Sequence, residues 1–283
     1  MKTYKEFKIT TTPFEIDTVS GVLWQLDIEG INEFDNYLTV FVNEKKLVTK
    51  EDIQKILNSI VNQRLIESFS IEEETIEDKN WNEEYEKNVP VVEVTDRIVI
   101  KPSFKDYNSK PGQIIITIDP KMSFGTGGHA TTKLVIQLIE KHVKGGETVL
   151  DVGSGTGVLA ISTILLGAQK AIGIDNDEWC LLNGNENVKA NNLEDKVEIR
   201  LTELKDIPEN NFDLIVANIN KHILIDIASE LSSKIKETGT LILSGLLNID
   251  EEDIVKIYSS LNLKLSEKTA MDEWIALVFE KIN

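Results

Sequence analysis

Two glycine-rich segments contain most of the residues in this sequence that are suited to ligand binding or chemistry. The first, DPKMSFGTGGHATTKL, spans residues 119–134 and combines three glycines with a histidine and two adjacent threonines. The second, VLDVGSGTGVLA, spans residues 149–160 and reads as a strand, a glycine turn and a helix. Glycines permit a sharp turn and let a ligand approach the backbone, while the start of a helix offers free N–H groups. Both segments are therefore candidate binding loops.

The second segment has the features of a site for an adenosine-containing cofactor. Asp175 ends the next predicted strand, 22 residues after Gly153, where its carboxylate can accept hydrogen bonds from both ribose hydroxyls. Val158 stands where a dinucleotide fingerprint requires a further glycine. Asp151 precedes the turn, where its charge would repel a pyrophosphate but suit an ammonium and a sulfonium. The pattern favours S-adenosylmethionine, with contacts at Gly153, Gly155 and Asp175; a plain nucleotide turn with Asp151 bonded to the loop remains the alternative.

A polar residue follows a third predicted strand, FDLIVANI, at residues 212–219. The carboxyl ends of parallel strands form the edge of the sheet at which ligands bind in such folds. Asn218 is thereby placed to bond the cofactor or an incoming amine, and it is the candidate catalytic residue. A simple turn-forming role after a strand is the alternative.

The first segment is not a phosphate loop, because no Gly-Lys-Ser/Thr sequence follows it. We expect residues 121–132 to form a lid, with Phe124 lying against the cofactor. Thr131 and Thr132 are predicted to cap the following helix and also to bond the amino-acid end of the cofactor. His129 has no partners at metal-ligand spacing, so no metal site is expected.

The elements that must position these residues predict two domains. Residues 1–76 have the order βαββαβ, which suggests a small ferredoxin-like α+β domain. Residues 77–90 are polar and read as a linker. Residues 91–283 form the second domain: it starts with strands in residues 91–104 and 113–120, and from Thr131 helices and strands alternate. This alternation indicates an α/β domain with a parallel sheet, and two final strands predict an antiparallel hairpin at its edge.

Composition limits the partners and the compartment. The 283 residues carry a formal net charge of −18, so a macromolecular partner is expected to be basic and free nucleic acid is disfavoured. A single cysteine and the absence of an apolar leader or membrane span predict a cytoplasmic protein without membrane association. We expect a monomer.

These motifs together resemble a known family. DPKMSFGTGGHATTKL, LDVGSGTGVLAI, IGIDNDE and DLIVANI are similar to segments of the methyltransferases that modify ribosomal protein L11. The resemblance implies a Rossmann-like class I methyltransferase sheet, S-adenosylmethionine as cofactor, and contacts at Thr132, Gly153, Asp175 and Asn218. It also implies methylation of lysine and N-terminal amines of L11, with residues 1–76 recognising that protein. The sequence departs from the family pattern after Asn218, where Asn220 and Lys221 replace small or apolar residues.

Three other functions are compatible with parts of this sequence. An RNA base is a possible methyl acceptor, although base methylators usually follow this asparagine with prolines and an aromatic residue that stacks the base. A nicotinamide dehydrogenase would share the glycine turn, but Val158 and Asp151 argue against it. A non-catalytic adaptor would use residues 1–76 to bind protein without transferring a methyl group.

Overall fold

The computed structural model describes residues 3–34, 36–43, 46–77, 89–119, 121 and 125–282. The chain divides into two compact units, residues 1–88 and 89–283. Most of the predicted linker, residues 78–88, lies outside the described residues. Within the described ranges, no helix has the length and apolar character needed to cross a membrane.

The first unit has the predicted βαββαβ order. Its elements are β1 (Thr3–Thr12), α1 (Ile16–Leu23), β2 (Gly30–Glu33), β3 (Leu38–Asn43), α2 (Lys50–Asn62) and β4 (Ser68–Glu77). The strands form an antiparallel sheet in the order β2-β3-β1-β4, which confirms the ferredoxin-like prediction. Thr49 and Asp52 form a capping box at the start of α2, and Phe7, Ile53 and Leu57 are buried in the core.

The second unit contains a seven-stranded sheet and a separate three-stranded sheet. Its strands are β5 (Val92–Glu93), β6 (Ile98–Lys101), β7 (Ile114–Thr117), β8 (Thr148–Val152), β9 (Lys170–Asp175), β10 (Val197–Leu201), β11 (Phe212–Asn218), β12 (Ile235–Leu247), β13 (Leu263–Met271) and β14 (Trp274–Lys281). The large sheet has the order β10-β9-β8-β11-β12-β14-β13. Strands β8 to β12 are parallel, whereas β13 and β14 form an antiparallel hairpin at one edge, as predicted.

Helices cover both faces of this large sheet, which accounts for its nearly continuous apolar strands. They are α3 (Ala130–His142), α4 (Val158–Leu165), α5 (Glu178–Ala190), α6 (Lys221–Asp226), α7 (Ala228–Lys234) and α8 (Glu251–Ser260). Helices α3 to α5 contribute Ile139, Ile161 and Val188 to one buried cluster. Helices α6 to α8 contribute residues such as Leu224 and Ile254 to a second cluster.

Two parts of this unit differ from the sequence-based expectation. Residues 222–236 read as one helix, but the structure ends α6 at Asp226 and begins α7 at Ala228, because Ile227 leaves the helical conformation. The segments that form β5 to β7 are predicted to be strands, and the structure confirms this. Their sequence pattern does not indicate that these strands form a separate sheet, which contacts α4. Strand pairing depends on long-range contacts that periodicity does not report.

Candidate functional site

A cavity of about 640 Å³ opens at the carboxyl edge of the seven-stranded sheet. Strands β8, β9 and β11 end beside it, and each contributes its last residue or the first residues of the loop that follows. The polar residues on its wall are His129, Thr131, Asp175, Asn176, Thr202, Glu203, Lys205, Asn218, Asn220 and Glu230. Four of the sequence-predicted residues thus line one cavity: Gly153, Gly155, Asp175 and Asn218.

The glycine turn after β8 forms the floor of this cavity. The N–H groups of Gly153 and Ser154 donate to the carbonyl of Ile174 at 2.9 and 3.0 Å, which locks the turn against β9. Gly153 has φ +73°, and a Cβ atom there would lie 2.3 Å from Cγ2 of Ile219. A side chain at this position is excluded by both the backbone conformation and the neighbouring loop.

Asp175 lies at the end of β9 and supports the turn as well as facing the cavity. Its Oδ2 accepts a 2.9 Å hydrogen bond from the N–H of Gly155, and its Oδ1 accepts from the N–H of Asp177 at 3.1 Å. A carboxylate offers about four acceptor positions, so these two bonds leave room for ligand hydroxyls. The same residue therefore orients the glycine turn and presents acceptors to the cavity.

Asn218 occupies the central position among the strand ends, since β11 lies between β8 and β12. Its side chain lines the cavity, and its Oδ1 is buried without a hydrogen-bond partner among the described residues. An unpartnered buried amide oxygen is costly unless a ligand or water supplies a donor. An acceptor that lacks a donor thus belongs to a residue of the cavity wall.

The start of α3 corrects one prediction. The helix is capped by His129, whose Nδ1 accepts from the N–H of Thr131 at 3.3 Å, so the predicted caps at Thr131 and Thr132 are wrong. Both threonines lie inside the first helical turn and are buried. The His129 ring also packs edge-on against Trp274, with ring centroids 4.9 Å apart. Phe124 lies outside the described residues.

Thr132 has an unusual environment for a hydroxyl. It is fully buried, and its Oγ1 has no hydrogen-bond partner among the described residues. It is not one of the residues on the cavity wall. The predicted contact between Thr132 and the cofactor therefore remains a prediction.

Asp151 lies beneath the glycine turn and is not part of the cavity wall. The carboxyl group is fully buried; Oδ2 accepts from the N–H of Ala160 at 3.0 Å, while Oδ1 has no partner among the described residues. Burial raises the pKa of Asp151 to about 7, the Ala160 N–H lowers it, and the Asp175 carboxylate raises it again. A cation bound nearby would favour the ionised form.

The other histidines do not join the site. His142 contacts Glu267 at 3.2 Å on the surface, and His222 is exposed at the start of α6. Among the residues that the structure describes, no group of three or more His, Cys, Asp or Glu side chains is arranged to hold a metal ion.

Sequence reasoning missed several residues of the cavity. Trp274 begins β14, and Gly245 lies near the end of β12; the two reach the cavity because these strands are antiparallel. The predicted edge hairpin could have indicated Trp274, because an antiparallel last strand begins at the edge where the parallel strands end. Cys180 on α5 and Thr202 after β10 also line the cavity, but their types and spacing gave no indication.

The residues present fit S-adenosylmethionine on three observations. The cavity is large enough for a ligand of this size. The Asp175 carboxylate at the end of β9 lines the cavity and has acceptor positions left for ligand hydroxyls. Asn218, whose side-chain oxygen lacks a hydrogen-bond partner among the described residues, adds an acceptor of the kind that an ammonium or an amine requires beside this cavity.

A solved structure shares this architecture. The ribosomal protein L11 methylase from Lactobacillus delbrueckii subsp. bulgaricus is 31% identical, with a TM-score of 0.65, over 68% of this chain and 99% of that one. The fold and the site therefore define a class I methyltransferase, a class that uses S-adenosylmethionine as methyl donor.

Sequence comparisons identify the family within that class. The protein-family profile described as "Ribosomal protein L11 methyltransferase (PrmA)" matches residues 3–282. A ribosomal protein L11 methyltransferase from Desulforapulum autotrophicum is 34% identical over 93% of this chain and 84% of its own length. One from Desulfotalea psychrophila is 31% identical over 99% of both chains. The chain belongs to the ribosomal protein L11 methyltransferase family.

Proposed function

We propose that this protein is an S-adenosylmethionine-dependent N-methyltransferase that modifies lysine and N-terminal amines of ribosomal protein L11. The observation that carries the proposal is the unpartnered, buried Oδ1 of Asn218 in the wall of the cavity, at the end of the central strand. The relatives from Desulforapulum autotrophicum and Desulfotalea psychrophila bear the name of this activity, which supports the same substrate.

The cofactor supplies a methyl group that is already activated by its sulfonium, so the protein has mainly to align a neutral amine. In the proposed mechanism Asn218 Oδ1 accepts one N–H of the acceptor amine and fixes the direction of its lone pair. Burial in the cavity lowers the pKa of the amine, which favours the neutral, nucleophilic form.

The cofactor contacts are part of the proposal. Asp175 accepts the ribose hydroxyls, while Gly153 and Gly155 allow the ligand to approach the backbone. Thr132 and Asn218 bond the amino-acid portion, and Phe124 lies against the ligand. Support comes from the cavity, which Gly153, Gly155, Asp175 and Asn218 all line.

The proposal assigns a separate task to each domain. Residues 1–76 recognise L11, residues 77–90 link the domains, and residues 91–283 bind the cofactor and transfer the methyl group. The division of the chain into compact units at residues 88 and 89 is consistent with this assignment. The net charge of −18 favours a basic protein substrate over free nucleic acid. The enzyme acts as a monomer in the cytoplasm, where ribosomes assemble.

The test is methyl transfer from labelled S-adenosylmethionine to purified L11, with ribosomal RNA as a second acceptor. Label in L11 but not in RNA, mapped to amines by mass spectrometry, is the expected result. Asn218→Ala should abolish most transfer, whereas Asn210→Ala, which changes an exposed asparagine in the loop before β11, should not. Label only in RNA would identify a base methyltransferase, and cofactor binding without transfer to either acceptor would favour an adaptor.

A further inference from the structure

The segment that follows Asn218 is held tightly from the β12 side. The N–H of Ile219 donates to the carbonyl of Ser244 at 3.2 Å. Gly245 has φ +80°, and a Cβ atom there would lie 2.4 Å from the backbone oxygen of Ile219. The two backbones are thus in direct contact, so the path of the chain beyond Asn218 is set by β12.

Lys221 fixes the same segment at its other end. Its Nζ lies 2.7 Å from Oδ2 of Asp253 and 3.0 Å from Oδ1 of Asp250. Asp250 is 13% exposed, and its Oδ2 accepts from the N–H of Leu247 at 2.9 Å. The ammonium therefore ties the start of α6 both to the segment after β12 and to the first turn of α8. A two-carboxylate bridge to a partly buried partner holds its position better than an isolated surface pair.

Asn220 lies between these two fixed points. It is the N-cap residue of α6, but its side chain makes no capping hydrogen bond within the described structure. The residue is exposed and lines the cavity beside Asn218. An asparagine at an N-cap usually bonds the helix backbone, so an amide directed elsewhere is available to an incoming polar group.

We propose that Lys221 is a positioning residue for the methyl acceptor: its bridge to Asp250 and Asp253 holds Asn220 so that the Asn220 amide contacts the segment bearing the target amine. The inference rests on the proposed function, because it names residues that present the acceptor to that site. The reaction needs the amine aligned closely, and small displacements of a supporting group cost large factors in rate.

The first test compares Lys221→Met, Lys221→Arg and a matched control, Lys236→Met. Lys236 is bridged to Asp213 near the starts of β12 and β11, at the sheet edge away from the cavity. We expect Lys221→Met to lower kcat/KM for L11 by about tenfold, and Lys221→Arg to recover most of it. The dissociation constant for S-adenosylmethionine should change by less than about twofold. Lys236→Met should leave both values unchanged.

The second test asks whether Lys221 acts through Asn220. Asn220→Ala should lower kcat/KM for L11, and adding Lys221→Met to it should produce little further loss. Independent, multiplying losses would overturn the positioning role, as would a normal kcat/KM in Lys221→Met.

Hydrogen exchange separates this inference from the proposed function. In Lys221→Met the backbone amides of residues 219–224 should exchange faster than in wild type, whereas in Lys236→Met they should exchange at the wild-type rate. If wild type binds S-adenosylmethionine but methylates no amine of L11, the proposed function fails. The exchange comparison still decides whether Lys221 holds residues 219–224 in place. Exchange of these amides at the same rate in Lys221→Met and Lys236→Met would overturn that role.

Discussion

The hydroxyl of Thr156, in the second glycine segment, donates a buried 2.7 Å hydrogen bond to the backbone carbonyl of Gly125, in the first. Asn187 on α5 reinforces the connection: its Nδ2 donates to the carbonyl of Thr156, and its Oδ1 accepts from the N–H of Asp119. The first segment is therefore attached to the glycine turn after β8 directly at Gly125 and, through Asn187, at Asp119. The two glycine segments, which lie close together in the sequence, are therefore also in direct contact in the fold.

This attachment leads to a prediction about the lid. Bound S-adenosylmethionine should slow proteolysis within residues 121–132, because closure over the ligand shields the backbone. Thr156→Val removes the donor to Gly125 and should speed cleavage in that stretch with or without cofactor. Thr163→Val, which changes a buried threonine within α4, is the control. Equal cleavage in all samples would exclude a lid.

Thr132→Val is expected to affect folding and binding in opposite directions. The buried hydroxyl has no partner among the described residues, so replacing it with a methyl group should leave the free energy of unfolding unchanged or raise it, by up to about 1 kcal/mol. If Thr132 bonds the cofactor, the same change should weaken S-adenosylmethionine binding. Urea denaturation and calorimetry on one preparation measure both quantities. Unchanged affinity would remove Thr132 from the proposed contacts.

Asp175→Ala should weaken S-adenosylmethionine binding by about 1.5–3 kcal/mol, the range for losing hydrogen bonds to a charged group. Asp177→Ala provides a matched control, because that carboxylate caps α5 through the N–H of Trp179 but does not line the cavity. It should lower the free energy of unfolding by about 1 kcal/mol and leave the affinity intact. Similar losses of affinity in the two variants would place the ribose elsewhere.

The raised pKa of Asp151 predicts that its contribution to stability depends on pH. The folded protein holds a proton on this carboxyl up to about pH 7, whereas the unfolded chain loses it near the ordinary value of 3.8. The contribution is therefore fully present below about pH 4 and is lost as the pH rises through 7. The free energy of unfolding of wild type, relative to Asp151→Asn, should fall between pH 5 and 7.5. A constant difference across that range would contradict the assignment.

Cofactor binding should also release protons from Asp151. An ammonium and a sulfonium bound near the turn favour the ionised carboxylate and lower its pKa. Calorimetric titrations with S-adenosylmethionine at pH 6.5, in two buffers of different ionisation enthalpy, should show release by wild type. Asp151→Asn should show much less.

Removing the first domain should separate cofactor binding from substrate capture. A protein of residues 77–283 should bind S-adenosylmethionine with near-normal affinity, since every proposed cofactor contact lies in that range. It should lose most transfer to intact L11, because a tethered recognition domain holds its target near the site at roughly millimolar effective concentration. A short lysine peptide should show little difference between the two proteins. Equal rates on intact L11 would disprove the recognition role.

The sequence alone was sufficient for the ferredoxin-like sheet and the parallel sheet, and for placing several residues on the wall of one cavity. Alternation of strands and helices predicted the parallel sheet, and two terminal strands predicted its antiparallel edge. The residues at the ends of β9 and β11, Asp175 and Asn218, were identified because strand ends converge in this fold. These inferences succeeded where local periodicity and topology carry the information.

Other features depended on contacts between distant parts of the chain. His129 replaces the predicted threonines as the cap of α3, since the backbone placed the helix start two residues earlier. Trp274 reaches the cavity only because β14 lies beside β12, and Lys221 finds Asp250 and Asp253 across 29 and 32 residues of sequence. Local pattern determined which elements form and which polar groups end them. Tertiary packing decided which of those groups meet, because side-chain partners across a sheet edge are fixed by strand order and register.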